Sequence, residues 1–271
     1  MSKEIFDLVY ARVGARPLCL DLYLPEPQQR PTPLVVWIHG GAWRQGDRRT
    51  HCVATCLLPH GYAVASVSYR PSQEAIFPAQ IHDCKAAVRW LRAHAEEYGL
   101  DPTALGAWGP SAGGHLVSLL GTTQGVPELE GELGNLEHSS AVQAVCDWFG
   151  PTDFRRMNDY PGDQDHDAPD SPESQLIGGP IQEHPDLVAR ANPVTYVSGN
   201  EPPFLIMHGD QDPIVPYPQS ILLYEALKAA RVPCELYTLK GAGHGGPAFE
   251  TPENLERVRC FFDAHLRHLS A

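Results

Sequence analysis

Residues 104–120 read Ala104-Leu105-Gly106-Ala107-Trp108-Gly109-Pro110-Ser111-Ala112-Gly113-Gly114-His115-Leu116-Val117-Ser118-Leu119-Leu120, and this stretch decides the fold. A short apolar run, Ala104–Trp108, leads into Gly109-Pro110-Ser111-Ala112-Gly113-Gly114, and a helical pattern, His115–Leu120, follows. Gly-x-Ser-x-Gly between a strand and a helix puts the serine on a sharp, strained turn. The small neighbours Gly109, Gly113 and Gly114 let strand and helix pass close without a clash. The strain pushes the hydroxyl out at the carboxyl edge of the sheet, above the amino end of the next helix. There a developing negative charge meets free N–H groups and the positive end of the helix dipole. Ser111 is therefore the candidate nucleophile.

Outward from that turn, short apolar runs alternate with helical patterns, which implies βαβ units and a mostly parallel sheet in an α/β fold. The segment from Phe6–Tyr10 to Leu18–Leu24 alternates like a hairpin with one wet face. Leu34–Ile38 and Tyr62–Val67 read as strands buried on both sides, as do Ala141–Phe149 and Phe204–His208, and Glu235–Leu239 is the last strand. Residues Thr50–His60 read as a helix, and Ala79–Tyr98 as one long amphipathic helix with Ile81, Cys84, Val88, Leu91 and Ala95 on one stripe. Ile221–Ala230 and Asn254–Leu269 read as covering helices. The segment Gly150–Pro203 is rich in Pro, Asp and Gly and has little periodicity. It is expected to be a cap-like insertion over the carboxyl edge of the sheet, forming part of a substrate pocket within a single domain spanning 1–271.

A serine hydroxyl is a poor nucleophile until a base takes its proton, and the base needs an orienting carboxylate. On a strand–serine–helix scaffold the order is serine, then acid, then histidine. Phe204–Pro216 contains a buried strand ending in the turn His208-Gly209-Asp210-Gln211-Asp212-Pro213, and Lys240–Gly246 places His244 among glycines after the last strand. His244 is the candidate base. Asp212, deeper in its turn, is the candidate acid, and Asp210 is expected to tie the turn together. An oxyanion hole needs two or more N–H groups aimed at one point. Ala112 should supply one, and Gly41 and Ala42 in the loop His39-Gly40-Gly41-Ala42-Trp43 the others, with Trp43 as an acyl-pocket wall or alternative donor. His39 is expected to bond within its loop, His115 to make a structural contact, and His208 to bond across its strand end. The acidic loop holding Asp163, Asp165, His166, Asp167 and Asp170 matches no metal spacing and reads as solvated.

The chain has 271 residues and a net charge of −13, which argues against a nucleic-acid partner. Its seven cysteines (Cys19, Cys52, Cys56, Cys84, Cys146, Cys234 and Cys260) are scattered and odd in number, unlike a disulfide framework. Cys52 and Cys56, four apart, read as small buried apolar residues. No apolar stretch of about 18 residues is present, so no membrane span is expected, and with no signal-peptide pattern at the start the expected location is cytoplasmic.

The chain resembles the α/β-hydrolase superfamily over essentially its full length. Its oxyanion loop is similar to that of the hormone-sensitive-lipase-like carboxylesterases. It is more closely similar to the bifunctional feruloyl and acetyl xylan esterases, through His39–Trp43, Ser68–Ala75, Phe77–Arg92, the serine turn with His115-Leu116, Ser171–Ser174, Pro202–Ile206 with His208-Gly209, and Val215-Pro216 with Gln219-Ser220. The resemblance implies an eight-stranded, mostly parallel sheet. It also implies a Ser-Asp-His esterase with no metal or cofactor, taking a small-molecule or oligosaccharide ester of acetyl or feruloyl type. Two departures are visible. Ala42 stands where lipase-like relatives often carry a third glycine, and Pro110 removes an N–H just before Ser111. Arylformamide or small-peptide hydrolysis would use the same machinery. A non-catalytic binding protein on this fold would lack a triad member, and here all three residues are present.

Overall fold

The computed structural model describes residues 2–267. Eight strands, β1 (Ser2–Val13), β2 (Arg16–Pro25), β3 (Thr32–Ile38), β4 (Ala63–Val67), β5 (Leu100–Pro110), β6 (Ala144–Trp148), β7 (Phe204–Gly209) and β8 (Cys234–Leu239), form one sheet in the order β1-β2-β4-β3-β5-β6-β7-β8. β1 and β2 make the expected hairpin, and β2 runs antiparallel to β4. Every other pairing is parallel. A parallel sheet gathers the carboxyl ends of its strands at one edge, so the loops after β3, β5, β6, β7 and β8 all open there.

Helices cover both faces, which is why the central strands are continuously apolar. Side chains alternate along a strand. In β3, Leu34, Val36 and Ile38 face one core, shared with Ile81, Val88 and Leu91 of α1 (Ala79–Ala93). Trp37 and Val35 face the other core, with Leu57 of the 3₁₀ turn Val53–His60 and Phe262 near the chain end. After α2 (Ala95–Tyr98), α3 (Ala112–Thr122) runs back from Ser111 and adds Leu116, Val117 and Leu120 to the first core. Beyond α4 (Pro127–Glu130), α5 (Pro172–Ile177) and α6 (Pro185–Ala191), α7 (Pro218–Ala229) closes that face, and α8 (Pro252–Leu266) covers the opposite one.

Several boundaries differ from the sequence reading. The helix expected over Thr50–His60 begins at Val53 and is 3₁₀ in type, with Pro59 inside it; a proline offers no N–H to an α-helical ladder. The long helix expected over Ala79–Tyr98 breaks at His94, whose φ of −101° and ψ of 13° leave the α region although its N–H still donates to the Trp90 carbonyl at 3.0 Å. α7 and α8 start three and two residues earlier than expected, each at a proline in its first turn. Residues 268 and 269 of the last expected helix lie outside the described residues. The strand read over Ala141–Phe149 is confined to Ala144–Trp148. Gly150–Pro203 folds as two short proline-started helices, α5 and α6, and the 3₁₀ turns Phe154–Asp159 and Pro193–Tyr196. Pro151, Gln164, His166, Pro172 and Glu173 from this segment line the cleft that also holds Ser111 and His244, where an insertion over the sheet edge was expected to contribute.

Candidate active site

Ser111 has φ 55° and ψ −123°, a conformation that a non-glycine residue holds only where the surroundings force it. Its N–H donates to the Trp148 carbonyl at 2.8 Å, and its carbonyl accepts from His115 N–H at 3.0 Å, so β6 and α3 together pin the turn. A Cβ on Gly113 would collide with the Ile38 carbonyl oxygen, and one on Gly114 with the Asp147 carboxylate. The elbow therefore needs glycine at both places to let α3 press against the sheet.

The three residues read as a relay come together. The Ser111 Oγ is 3.0 Å from His244 Nε2, and His244 Nδ1 donates to Asp212 Oδ2 at 2.7 Å. Asp212 Oδ1 accepts from the N–H groups of Ile214 and Val215, each at 2.9 Å. Burial works against a charge on Asp212, but hydrogen bonds from His208 and His244 outweigh it and hold the carboxyl well below the usual carboxylate range. A carboxylate fixed in this way keeps the imidazole in the tautomer whose Nε2 is free to accept the serine proton. Asp210 lies outside the relay. Its Oδ1 accepts from Gly241 N–H at 2.7 Å and ties the acid turn to the histidine turn.

The loop after β3 carries three positive φ angles in a row, Gly41 at 108°, Ala42 at 53° and Trp43 at 55°. This curl is closed by Arg44 and Gln45, whose N–H groups donate to the Gly41 carbonyl at 3.0 and 3.1 Å. Among the described residues the N–H groups of Gly41, Ala42 and Ala112 donate to no protein acceptor, and all three residues line the same cleft as Ser111 and His244. Trp43 also lines it, with its indole edge against His115 and Phe154, each ring 5.3 Å away. The cleft has a volume of about 660 Å³, within the range of small-molecule sites. Trp37, Trp148, Phe149 and Phe249 give it aromatic walls, and the Phe149 ring meets His244 edge-on at 4.7 Å.

Of the other histidines, His39 bonds within its loop, Nδ1 to the Gly40 carbonyl at 2.7 Å, and stacks on Tyr69. His115 donates from Nε2 to the Ala191 carbonyl at 2.7 Å, and burial pushes it down to about 4, so it is a neutral structural tie to the insertion. His208 does more than bond across a strand end. Its Nε2 faces Asp212 Oδ2 at 3.1 Å and the Val215 carbonyl at 2.9 Å, while Nδ1 accepts from the Ser220 hydroxyl at 2.7 Å. The acid is thus gripped by two imidazoles, one of which the sequence reading gave only a bond across its strand end; the signal was the four-residue spacing from His208 to Asp212 across a tight turn. The acidic loop also needs correcting. Asp163, Asp165 and Asp170 are exposed as expected, but His166 is 2% exposed, faces the carboxylate of buried Glu173, and lines the cleft. The chain turns this one side chain inward because Asn158 holds the His166 N–H at 3.0 Å. Cys52 and Cys56 are half-buried, and burial raises their thiols to about 12 and about 11, leaving neither ionised at neutral pH. Among the described residues no group of three His, Cys, Asp or Glu is arranged to hold a metal, and no helix is long and apolar enough to cross a membrane.

Sheet order, serine elbow and loop placement are those of an α/β-hydrolase. The solved structures similar to this chain bear this out. A truncated carbohydrate esterase from gut microbiota superposes with a TM-score of 0.89 at 36% identity, over 97% of this chain and 96% of that one. A bifunctional GH43-CE protein of Bacteroides eggerthii gives a TM-score of 0.87 at 38% identity, over 96% of this chain and 35% of that one. Within that class the chain belongs to the BD-FAE family, whose model matches residues 20–227. Esterase LipC of Mycobacterium tuberculosis is 32% identical over 225 residues, covering 80% of this chain and 53% of LipC. The chain spans about half the length of the curated relatives it matches.

Proposed function

We propose that the protein is a serine carboxylic-ester hydrolase working through an acyl-enzyme. Ser111 attacks the ester carbonyl while His244, held by Asp212, takes its proton. The N–H groups of Gly41, Ala42 and Ala112 receive the oxyanion, and His244 then delivers the proton to the departing alcohol. Water repeats the sequence on the acyl-Ser111 and releases the acid. The observation that carries this reading is the unbroken line from Ser111 to His244 to Asp212, with contacts of 3.0 and 2.7 Å, opening on a cleft lined by unpaired amides. A buried serine that merely capped a helix would need no imidazole on its hydroxyl.

The substrates proposed are short-acyl or aryl esters, including acetyl and feruloyl esters of carbohydrate. The aromatic walls suit a flat or small acyl group, and one of the similar solved structures is a carbohydrate esterase. The test is turnover of 4-nitrophenyl acetate by wild type and Ser111→Ala. The variant should fall by roughly a thousandfold or more in kcat, and a fluorophosphonate probe should label only the wild type. Near-normal turnover by the variant overturns the mechanism. A panel of acetyl, butyryl, feruloyl and formamide substrates, compared by kcat/KM, then tests the substrate class.

A further inference from the structure

Gly41, Ala42 and Trp43 hold positive φ one after another, and two of them carry side chains that disfavour it. Such a curl persists only where its surroundings over-determine it. The peptide units of this loop are trans, so a carbonyl held in place points the next residue's N–H the opposite way. The Gly41 carbonyl, which sets the Ala42 N–H, is held by the backbone N–H groups of Arg44 and Gln45. The Gly40 carbonyl, which sets the Gly41 N–H, is held by a side chain. His39 Nδ1 donates to it at 2.7 Å. The aim of one oxyanion donor thus depends on where a single imidazole stands.

That imidazole is placed by Tyr69, in the loop after β4. Both residues are buried, and neither is part of the cleft lining. Their rings lie face to face, 4.3 Å apart and 9° from parallel, and the Tyr69 hydroxyl donates to the His39 carbonyl at 3.1 Å. One phenol therefore sets both the ring and the backbone of His39. Burial pushes the phenol well above its ordinary pKa, so it stays a donor, and pushes His39 down, so the ring carries one proton, on the nitrogen that faces a carbonyl. Tyr69 is anchored on either side. The Ser68 carbonyl accepts from the Tyr10 hydroxyl at 2.7 Å, and Arg70 binds the buried Asp83 of α1 through its N–H at 2.9 Å and its guanidinium at 2.7 Å. Ser72 N–H, from the same loop, donates to the Trp43 carbonyl at 2.8 Å and grips the far end of the curl.

We propose that Tyr69 is a positioning residue for the oxyanion hole, aiming the Gly41 N–H through His39 without touching substrate. The proposal rests on the esterase reading and adds to it a residue behind the reacting groups. A donor stabilises a developing oxyanion most when it needs no reorganisation. With His39 loosened, the Gly40–Gly41 peptide can swing, and the oxyanion loses more than the ground-state ester does.

Tyr69→Phe deletes the hydroxyl and keeps the stack, whereas Tyr69→Leu deletes both. Acylation and deacylation each pass through an oxyanion, so both should slow together. With 4-nitrophenyl acetate, kcat should fall about five- to tenfold in the first variant and about fiftyfold in the second, with KM within about twofold of wild type. A trifluoromethyl ketone reports on the hole itself: the Ser111 oxygen bonds to its carbonyl carbon, the serine proton passes to His244, and the carbonyl oxygen becomes the anion. Its affinity should weaken by the factor that kcat/KM loses. A tyrosine that served stability alone would lower the melting temperature and leave kcat and ketone affinity of the folded enzyme unchanged, which overturns the proposal. A raised KM at unchanged kcat overturns it too. Should the tyrosine variants fail to fold, the route through His39 decides. His39→Asn, whose amide can donate to the Gly40 carbonyl, should keep about tenfold more kcat than His39→Leu, and equal rates overturn the proposal. Failure of the esterase reading is visible separately, as absence of Ser111-dependent 4-nitrophenyl acetate hydrolysis in the wild type.

Discussion

Asp212 is the residue on which the relay's geometry turns. Its two oxygens accept from Ile214, Val215, His208 and His244, and each bond removes a way for the carboxylate to rotate. The backbone donors alone leave Oδ2 free to follow the His244 ring; His208 fixes it from the other side, and is itself fixed by Ser220. His208 is fully buried and is not part of the cleft lining, so it acts as a positioning residue. Replacing it by leucine should lower kcat by about ten- to a hundredfold with KM nearly unchanged, the pattern of a lost orientation rather than lost binding. Glutamine, whose amide can still donate to Oδ2, should recover part of that loss. Steady-state kinetics on the three proteins, with thermal melts to show equal folding, checks it; a leucine variant with wild-type kcat sinks it.

Among the elements, the proposed reaction centre is a meeting of loops that only the sheet brings together, and how legible each was follows from its physics. The central strands are buried on both faces and announce themselves as continuous apolar runs. The serine elbow is legible because close strand–helix passage admits few residues, and Gly113 shows why: its α-carbon lies against the Ile38 carbonyl with no room for a side-chain carbon. Gly113→Ala should therefore destabilise by about 3 kcal/mol or more and impair turnover, since neither backbone can yield without moving Ser111. Urea unfolding measures it, and an unchanged midpoint would show that the passage is looser than drawn. The insertion was legible only as an insertion. Its helices α5 and α6 have 6 and 7 residues, too short to print a period on the sequence, and prolines rather than apolar stripes start them. His166 among four aspartates reads as solvated; its burial depends on Asn158 and Glu173, contacts that no local pattern encodes. The break at His94 escaped for a similar reason, because one residue leaving the α region leaves the apolar stripe intact.

For the whole molecule, stability against pH joins two carboxylates at the same sheet edge that titrate in opposite directions. Asp212 has four donors, so its native pKa is depressed; its contribution is present above the ordinary carboxylate range and is lost as pH falls through the native value. Asp147, at the end of β6 beneath the serine elbow, is fully buried and, among the described residues, accepts only from Gly150 N–H and the Ser118 hydroxyl. Burial outweighs those bonds and raises it from 3.8 to about 6. A raised acid favours the native state while protonated, so its contribution is complete below about 3.8 and is lost as pH rises through about 6. At roughly 1.4 kcal/mol for each tenfold change in proton affinity, the Asp147 contribution amounts to about 3 kcal/mol. Asp147→Asn mimics the protonated form at every pH and keeps an oxygen for Gly150. Its unfolding free energy relative to wild type should therefore climb by about 2 kcal/mol between pH 4 and pH 7, whereas the Asp212 contribution is common to both proteins and cancels. Urea titrations at half-unit steps of pH across that window measure the difference directly. A difference that stays flat would mean that Asp147 is ionised throughout, and that burial beneath the elbow costs the charge far less than its surroundings imply.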